Sequence, residues 1–368
     1  MIEVVERLGE APALALGGLL IGAAFGALAQ HSRFCLRAAT IEFASGKLGG
    51  KVAIWVLTFA TAVAGTQAAI VSGLLDVSEA RQLSAAGSLS GALIGGLIFG
   101  CGMVLARGCA SRLLVLSATG NLRALVSGLI LTVVAQASFR GVLAPLREAL
   151  AGLWVLPAGS VKSLLEPIGA GAGAGLGLGL AWLLIGLLIA RHNRVALSHG
   201  LAATGVGLMV AAGWVFTYAM SQVSFDPVAV KSITFTGPSA DTLMGLINER
   251  TLPLGFDIGL VPGVFLGSLA ATLIAGEWRL QGFEGGQSMA RYIAGASLMG
   301  FGGMLAGGCA VGAGVTGGAV FALTAWCALA AMWLGAGTTD YLVDRRGQSK
   351  VQATHATPTS TTVPDHLR

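Results

Sequence analysis

Charge is scarce in this chain: 11% of its 368 residues are Asp, Glu, Lys or Arg, against roughly 25% in an ordinary soluble domain. No Asp or Glu falls in the middle of any long apolar run, so the intramembrane carboxylates that usually carry protons or sodium-coupled binding are missing. There is no CxxC, no His beside Cys109 or Cys309, and no Met-rich pore pattern. The spacings that announce zinc or copper sites are therefore absent. Neither a Ser-His-Asp order nor a paired carboxylate occurs, and the glycine run from Gly169 to Gly179 contains no complete GxGxxG. A soluble-type enzyme would have no domain to live in, and the expectation is no catalytic residue, no cofactor, no metal and no nucleic-acid partner.

Apolar sequence fills the space that charge leaves, since 55% of the chain is hydrophobic. Ala13–Gln30, Val52–Leu74, Ile168–Ala190 and Val206–Met220 carry no charge and approach the ~20 residues that cross a bilayer as a helix. Alternating ten-residue segments are lacking, which argues against a barrel. The fold class expected is an all-α polytopic membrane protein with about nine spans: 13–30, 52–74, 87–106, 123–140, 168–190, 198–220, 256–276, 291–306 and 319–337. Four segments between them, 31–46, 108–120, 226–248 and 307–318, are too short or too polar to cross and read as re-entrant loops. The 56 glycines favour close helix approach and broken helices; GAGAGAGLGLG from Gly169 to Gly179 reads as a packing face. Ala27-Leu28-Ala29 resembles a signal-peptidase site, but Glu3, Glu6 and Glu10 stand where a secretory signal needs positive charge, so no cleavage is expected. The end of the chain, rich in Thr, Ser and Gln, reads as disordered.

One pattern occurs twice. Shifting the chain by 200 positions superimposes eight identical residues among the 16 from 95 to 110, including Gly108 on Gly308 and Cys109 on Cys309. The spans leading into the two copies are five apart, an odd number, so the halves must cross in opposite directions as an inverted repeat. The expected division is a first repeat at 1–140, a connector with the fifth span at 141–197, a second repeat at 198–340 and a polar tail at 341–368. Cys35, which precedes Cys109 by 74 positions, has its counterpart at Phe235 in Phe235-Thr236-Gly237-Pro238. The repeat therefore carries three thiols rather than four.

Cys101 and Cys327 lie inside apolar spans and read as small packing residues. Cys35, Cys109 and Cys309 differ, each near the opening of a short segment flanked by glycine, arginine or serine. Such thiols suit a sulfur-bearing substrate, a soft-metal site or, if they meet, a disulfide. Arg107 and Arg112 bracket Cys109, and Arg33 and Arg37 bracket Cys35; they favour an anion, or alternatively anchor the chain at the interface. His31 stands beside Arg33 and Cys35, where it tunes that thiol or is simply solvated. Gln67 and Gln136 are the most polar mid-span groups, and either serves to bridge helices. Counting Lys and Arg by loop places the N-terminus outside and the C-terminus inside.

At HSRFCLRAA around Cys35, GCGMVLARGCAS around Cys109 and GGMLAGGCAVGAG around Cys309, the chain resembles the YeeE/YedE family of bacterial sulfur-compound transporters, over about residues 10–340. The resemblance implies an hourglass of helices closing around short helical loops from both leaflets of the inner membrane. It implies thiosulfate passed inward along cysteines through S–H···S contacts, sometimes with a TusA-like cytoplasmic sulfur carrier as partner. Carried onto these residues, it puts Cys109 and Cys309 at a central relay, Cys35 at a third station, and Phe235 with Gly237 in the fourth loop. Arg107, Gly108 and Gly308 complete the expected substrate-binding set. The rival readings are a membrane sulfurtransferase or redox subunit forming a persulfide on Cys109 or Cys309, and a soft-metal or selenium-compound permease.

Overall fold

The computed structural model describes residues 2–78, 80, 83, 87–156, 163–165, 169, 171–283 and 285–345. Most of the expected polar tail lies outside the described residues, as do Arg81 and Lys162, which entered the charge count. The chain is helical almost throughout: α1 (Ile2–Leu8), α2 (Glu10–Ser32), α3 (Leu36–Ala44), α4 (Gly50–Val71), α5 (Leu89–Leu105), α6 (Ala110–Ala118), α7 (Leu122–Arg140) and α8 (Ala144–Ala151). Then follow α9 (Ala172–His192), α10 (Leu197–Ser221), α11 (Thr236–Asn248), α12 (Phe256–Ile274), α13 (Gly286–Leu305), α14 (Ala310–Thr316), α15 (Leu323–Thr339) and α16 (Asp340–Arg345). Among the described residues only β1 (Gly87–Ser88) and β2 (Val155–Leu156) pair as strands, antiparallel, with Gly87 opposite Leu156.

Seven helices among the described residues are long and apolar enough to cross a membrane, and the bent pair Ser288–Leu305 with Ala310–Ala319 makes an eighth. The sequence reading expected about nine. The helix in question is α15, whose 17 residues rise ~25 Å, short of a ~30 Å hydrocarbon core. It runs on without a break into α16.

Glycine holds the long helices together. Gly18, Gly22 and Gly26 on α2 face Gly259, Gly263 and Gly267 on α12, and a Cβ at any of the six would press on backbone carbonyls of the partner. Where helices must associate in lipid, two such ladders let the backbones touch, and dispersion replaces the missing hydrophobic drive. Residue numbers rise together along this seam, so α2 and α12 run in the same direction. Helices α5 and α13 do the opposite. A Cβ at Gly95 would meet Gly302 and Ala306, and one at Gly295 would meet Gly102 and Ala106. The contact is antiparallel and maps onto itself under the 200-residue shift.

The same reading fixes the other pairs. Thr58 donates to the Ala203 carbonyl at 3.0 Å, and Gly65 lies against Ala211, so α4 and α10 are parallel. Gly175 faces Gln67, Gly179 faces Ala64 and Gly186 faces Leu57, so α9 is antiparallel to α4. Each direction agrees with strict alternation of the long helices from α2 to α15. Helix α9 packs one glycine face on α4 and leaves Leu180, Leu184, Leu187 and Leu188 exposed, as a lipid-facing outer helix requires.

Alternation gives the bundle two ends. One gathers Arg33, Arg37, Lys47, Lys51, Arg107, Arg112, Arg123, Arg191, Arg194, Arg279, Arg291 and Arg345. Its loops are tied together, with Gln281 N donating to the Gly120 carbonyl at 2.9 Å and Asn193 to the Leu48 carbonyl at 2.7 Å. The polar end of the chain is helical through Arg345, further than the expected disorder from residue 341. The reason is electrostatic: Arg291 pairs with Asp344 at 2.7 Å and Arg345 with Asp340 at 2.9 Å.

Candidate functional site

The four short segments share one local design. Cys35, Cys109, Phe235 and Cys309 are each the residue immediately before the first turn of a short helix, α3, α6, α11 and α14 respectively. In the three cysteine segments the preceding long helix ends on a left-handed residue two positions before the thiol: Arg33 (φ 55), Arg107 (φ 56) and Gly307 (φ 80). The next amide closes back on the helix in all three, Phe34 N to Ala29 O at 3.2 Å, Gly108 N to Met103 O at 3.0 Å and Gly308 N to Gly303 O at 2.8 Å. This is a Schellman stop. It turns the chain so that the cysteine is extended and the following helix sets off at a new angle, 40° away in the Cys309 segment. The fourth segment reaches Phe235 through the non-helical stretch 222–235 instead.

Because each short helix sits between two long helices that run in opposite directions, it begins and ends at one end of the bundle. Cys35 and Cys109 come from the arginine-rich end, Phe235 and Cys309 from the other. The structure brings the first pair together: the Cys35 and Cys109 side chains act on each other. Cys109 is 1% exposed and its sulfur also lies 3.4 Å from Ser111 Oγ. Cys309 is fully buried, and its sulfur accepts from Gly312 N at 3.4 Å within its own π-helical turn. Helices α6 and α14 touch, so the two ends meet inside the bundle. Irregular turns of this kind cluster at functional sites.

Gly312 is held against Thr234, Thr316 Oγ1 donates to the Ile233 carbonyl at 2.6 Å, and Gln67 Nε2 donates to the Ala319 carbonyl at 2.8 Å. Gln67 thus bridges helices, whereas Gln136 Oε1 is buried without a partner. Phe235 is buried with its ring 5.4 Å from Phe25. Gly237 has open space where a Cβ would stand, while a Cβ at Gly308 would press on Ala313 N.

Arg107 is exposed, its guanidinium carbon 5.8 Å from the Tyr292 ring centroid; that of Arg123 lies 4.9 Å from the same ring. The cation placed toward the thiol pair is Arg112, which acts electrostatically on both Cys35 and Cys109 and donates to Gln30 Oε1 at 3.3 Å. Arg112 was visible as a neighbour of Cys109, but its partner Gln30 is 82 positions away and carried no sequence signal. Sequence reasoning also passed over Thr236, whose hydroxyl is fully buried and without a partner beside Gly303, and over the equally buried, unpartnered Ser32 hydroxyl. His31 is exposed, its ring centroid 5.3 Å from that of His199 and its plane tilted 45° to it. Cys101 donates toward the Gly335 carbonyl at 3.6 Å across a helix seam. Among the described residues no group of three or more His, Cys, Asp and Glu could hold a metal ion.

Buried thiols, unpartnered hydroxyls and a partly buried arginine, presented by short helices in an apolar bundle, define a polytopic membrane protein with polar groups in its interior. The chain belongs to the sulphur transport family, whose sequence profile matches residues 31–338. It is similar to the thiosulfate transporter TsuA of Escherichia coli (strain K12), 27% identical over 368 residues that cover 92% of this chain and 97% of the relative. It is also similar to the thiosulfate transporter TsuA of Spirochaeta thermophila, 26% identical over 341 residues, 89% of this chain and 99% of that one.

Proposed function

We propose that this protein is an inner-membrane permease that takes up thiosulfate, or a closely related sulfur anion, along its cysteine thiols. The observation that carries the reading is the shared placement of Cys35, Cys109 and Cys309 at the mouths of short helices that enter from both ends of the bundle. The anion would shed water against helix N-terminal amides, buried hydroxyls and weak thiol donors, with Arg112 offsetting its charge. Weak sites in series let an ion move on without being trapped. Cys309 serves the outer side and the Cys35–Cys109 pair the inner side. Phe235 and Gly237 close the fourth loop, and Gly108 and Gly308 let the Cys109 and Cys309 segments turn tightly.

The self-mapping antiparallel seam of α5 and α13 supports reading residues 1–140 and 198–340 as inverted repeats joined by 141–197. The arginine-rich end supports placing that end, with the C-terminus, in the cytoplasm and the N-terminus in the periplasm. A small TusA-like sulfur carrier at the cytoplasmic end belongs to the same reading, and co-purification from cells checks it.

Uptake of radiolabelled thiosulfate into proteoliposomes, challenged with sulfate, sulfite and selenium analogues, tests the proposal. Cys109→Ala and Cys309→Ala are expected to abolish flux, and Cys35→Ala to lower it severely, with the protein still folded in the membrane. Wild-type flux in all three variants would sink the relay. A persulfide forming on Cys109 within a turnover would instead favour sulfur transfer, and stoichiometric copper or zinc on the purified protein a metal permease.

A further inference from the structure

Apart from the thiols, the arginine-rich end contains a second charged cluster. Arg37 lies on α3, two residues past Cys35, and Arg291 in the second turn of α13. Both reach the same carboxylate, Asp344 on α16, Arg291 at 2.7 Å and Arg37 at 3.7 Å. Side-chain exposure is 23–24% for all three. The Nε–H groups of Arg37 and Arg291 are both buried without a hydrogen-bond partner. Arg107 acts on Arg37 as a further positive neighbour, and Cys35 and Asp340 act on it from the other side of the balance.

Two partly buried guanidinium groups thus share the Asp344 carboxylate as their ion-pair partner, and each keeps an unused donor. Buried donors are rarely left unmade, because each costs about 1–3 kcal/mol. A carboxylate has two oxygens and both are already engaged, one by each arginine. A tetrahedral dianion carries the charge that balances the pair and enough oxygens for both forks. We infer that Arg37 and Arg291 form a binding site for a divalent tetrahedral oxyanion at the mouth of the path, and that Asp344 occupies it as a displaceable internal competitor. The inference rests on the transport reading only for its role, as the station where the anion leaves the thiols. Binding itself does not require flux.

Titration of the purified full-length protein with sodium sulfate and sodium thiosulfate, at ionic strength held constant with chloride, tests it. Asp344→Asn is expected to tighten binding of both anions about tenfold, and Arg291→Gln to weaken it about tenfold or more, as loss of a charge-assisted hydrogen bond implies. Cys309→Ala, which the relay predicts to be dead in transport, is expected to keep the Asp344→Asn gain when the two are combined. That arm separates failure of this site from failure of the relay. An Asp344→Asn protein that binds no better than wild type would overturn the inference and leave Asp344 a structural tie. In wild-type protein, sulfate is expected to protect Arg37 and Arg291 from phenylglyoxal, read by peptide mass spectrometry. Modification unchanged by sulfate would overturn it even where a variant fails to fold.

Discussion

The Cys35 and Cys109 side chains act on each other, come from segments 74 positions apart, and lie within the electrostatic reach of Arg112. On the proposed reading, a sulfur anion arriving there would meet two soft donors and one cation, with Cys109 buried and Cys35 partly exposed. Oxidation of the purified protein with diamide, which takes up the two thiol protons and electrons, is expected to join Cys35 to Cys109 and leave Cys309 reduced. A Cys35–Cys309 or Cys109–Cys309 bridge as the main product would contradict the placement. Arg112→Gln is expected to raise the KM for thiosulfate uptake about tenfold, the scale of one charge-assisted hydrogen bond, with the protein still inserted. An unchanged KM would remove Arg112 from the path. The thiols could be read from the sequence because one of them is duplicated with its glycines. The contact between Cys35 and Cys109, the link from Arg112 to Gln30 and the pairing of Arg291 with Asp344 could not, since each joins residues far apart in the chain whose identities do not specify one another.

Among the elements, the seam of α2 and α12 is the most exacting. A Cβ at Gly22 would crowd the Leu260 carbonyl, whereas one at Gly177 on α9 would meet nothing within 4 Å. Gly22→Val is therefore expected to destabilise the detergent-solubilised protein by about 3 kcal/mol or more. Gly177→Ala is expected to be neutral or to gain up to ~1 kcal/mol of helix propensity. Thermal unfolding of the two variants side by side checks the contrast, and equal melting temperatures would contradict the packing described. Apolar run length placed the long helices to within a few residues, because in lipid a long apolar segment has few alternatives to a helix. It did not reveal which glycines touch. GAGAGAGLGLG was a packing face by composition, but only Gly175 and Gly179 within it pack on α4, while Gly173 and Gly177 have open space. Nor did it foresee that α14 opens as a π-helical turn, where Cys309 is capped by its own Gly312.

At the scale of the whole molecule, alternating helix direction, an antiparallel self-mapping seam and a basic end all describe one arrangement. A protein built this way offers two unequal approaches to one interior, with Cys309 and Phe235 from one side and the Cys35–Cys109 pair from the other. The orientation proposed for it is expected to place the C-terminus in the cytoplasm. A reporter that is active only in the periplasm, fused after Arg368, should stay silent, and activity there would reverse the assignment. The orientation proposed for the bundle rests on an excess of loop Lys and Arg; the antiparallel course of α5 and α13 followed from counting spans between the two copies of one motif. The central claim is that thiols from both sides carry a sulfur anion across, and thiosulfate flux into proteoliposomes containing the Cys309→Ala protein tests it most directly. The account predicts no flux above protein-free vesicles while the variant remains folded and inserted; flux at the wild-type rate would contradict it.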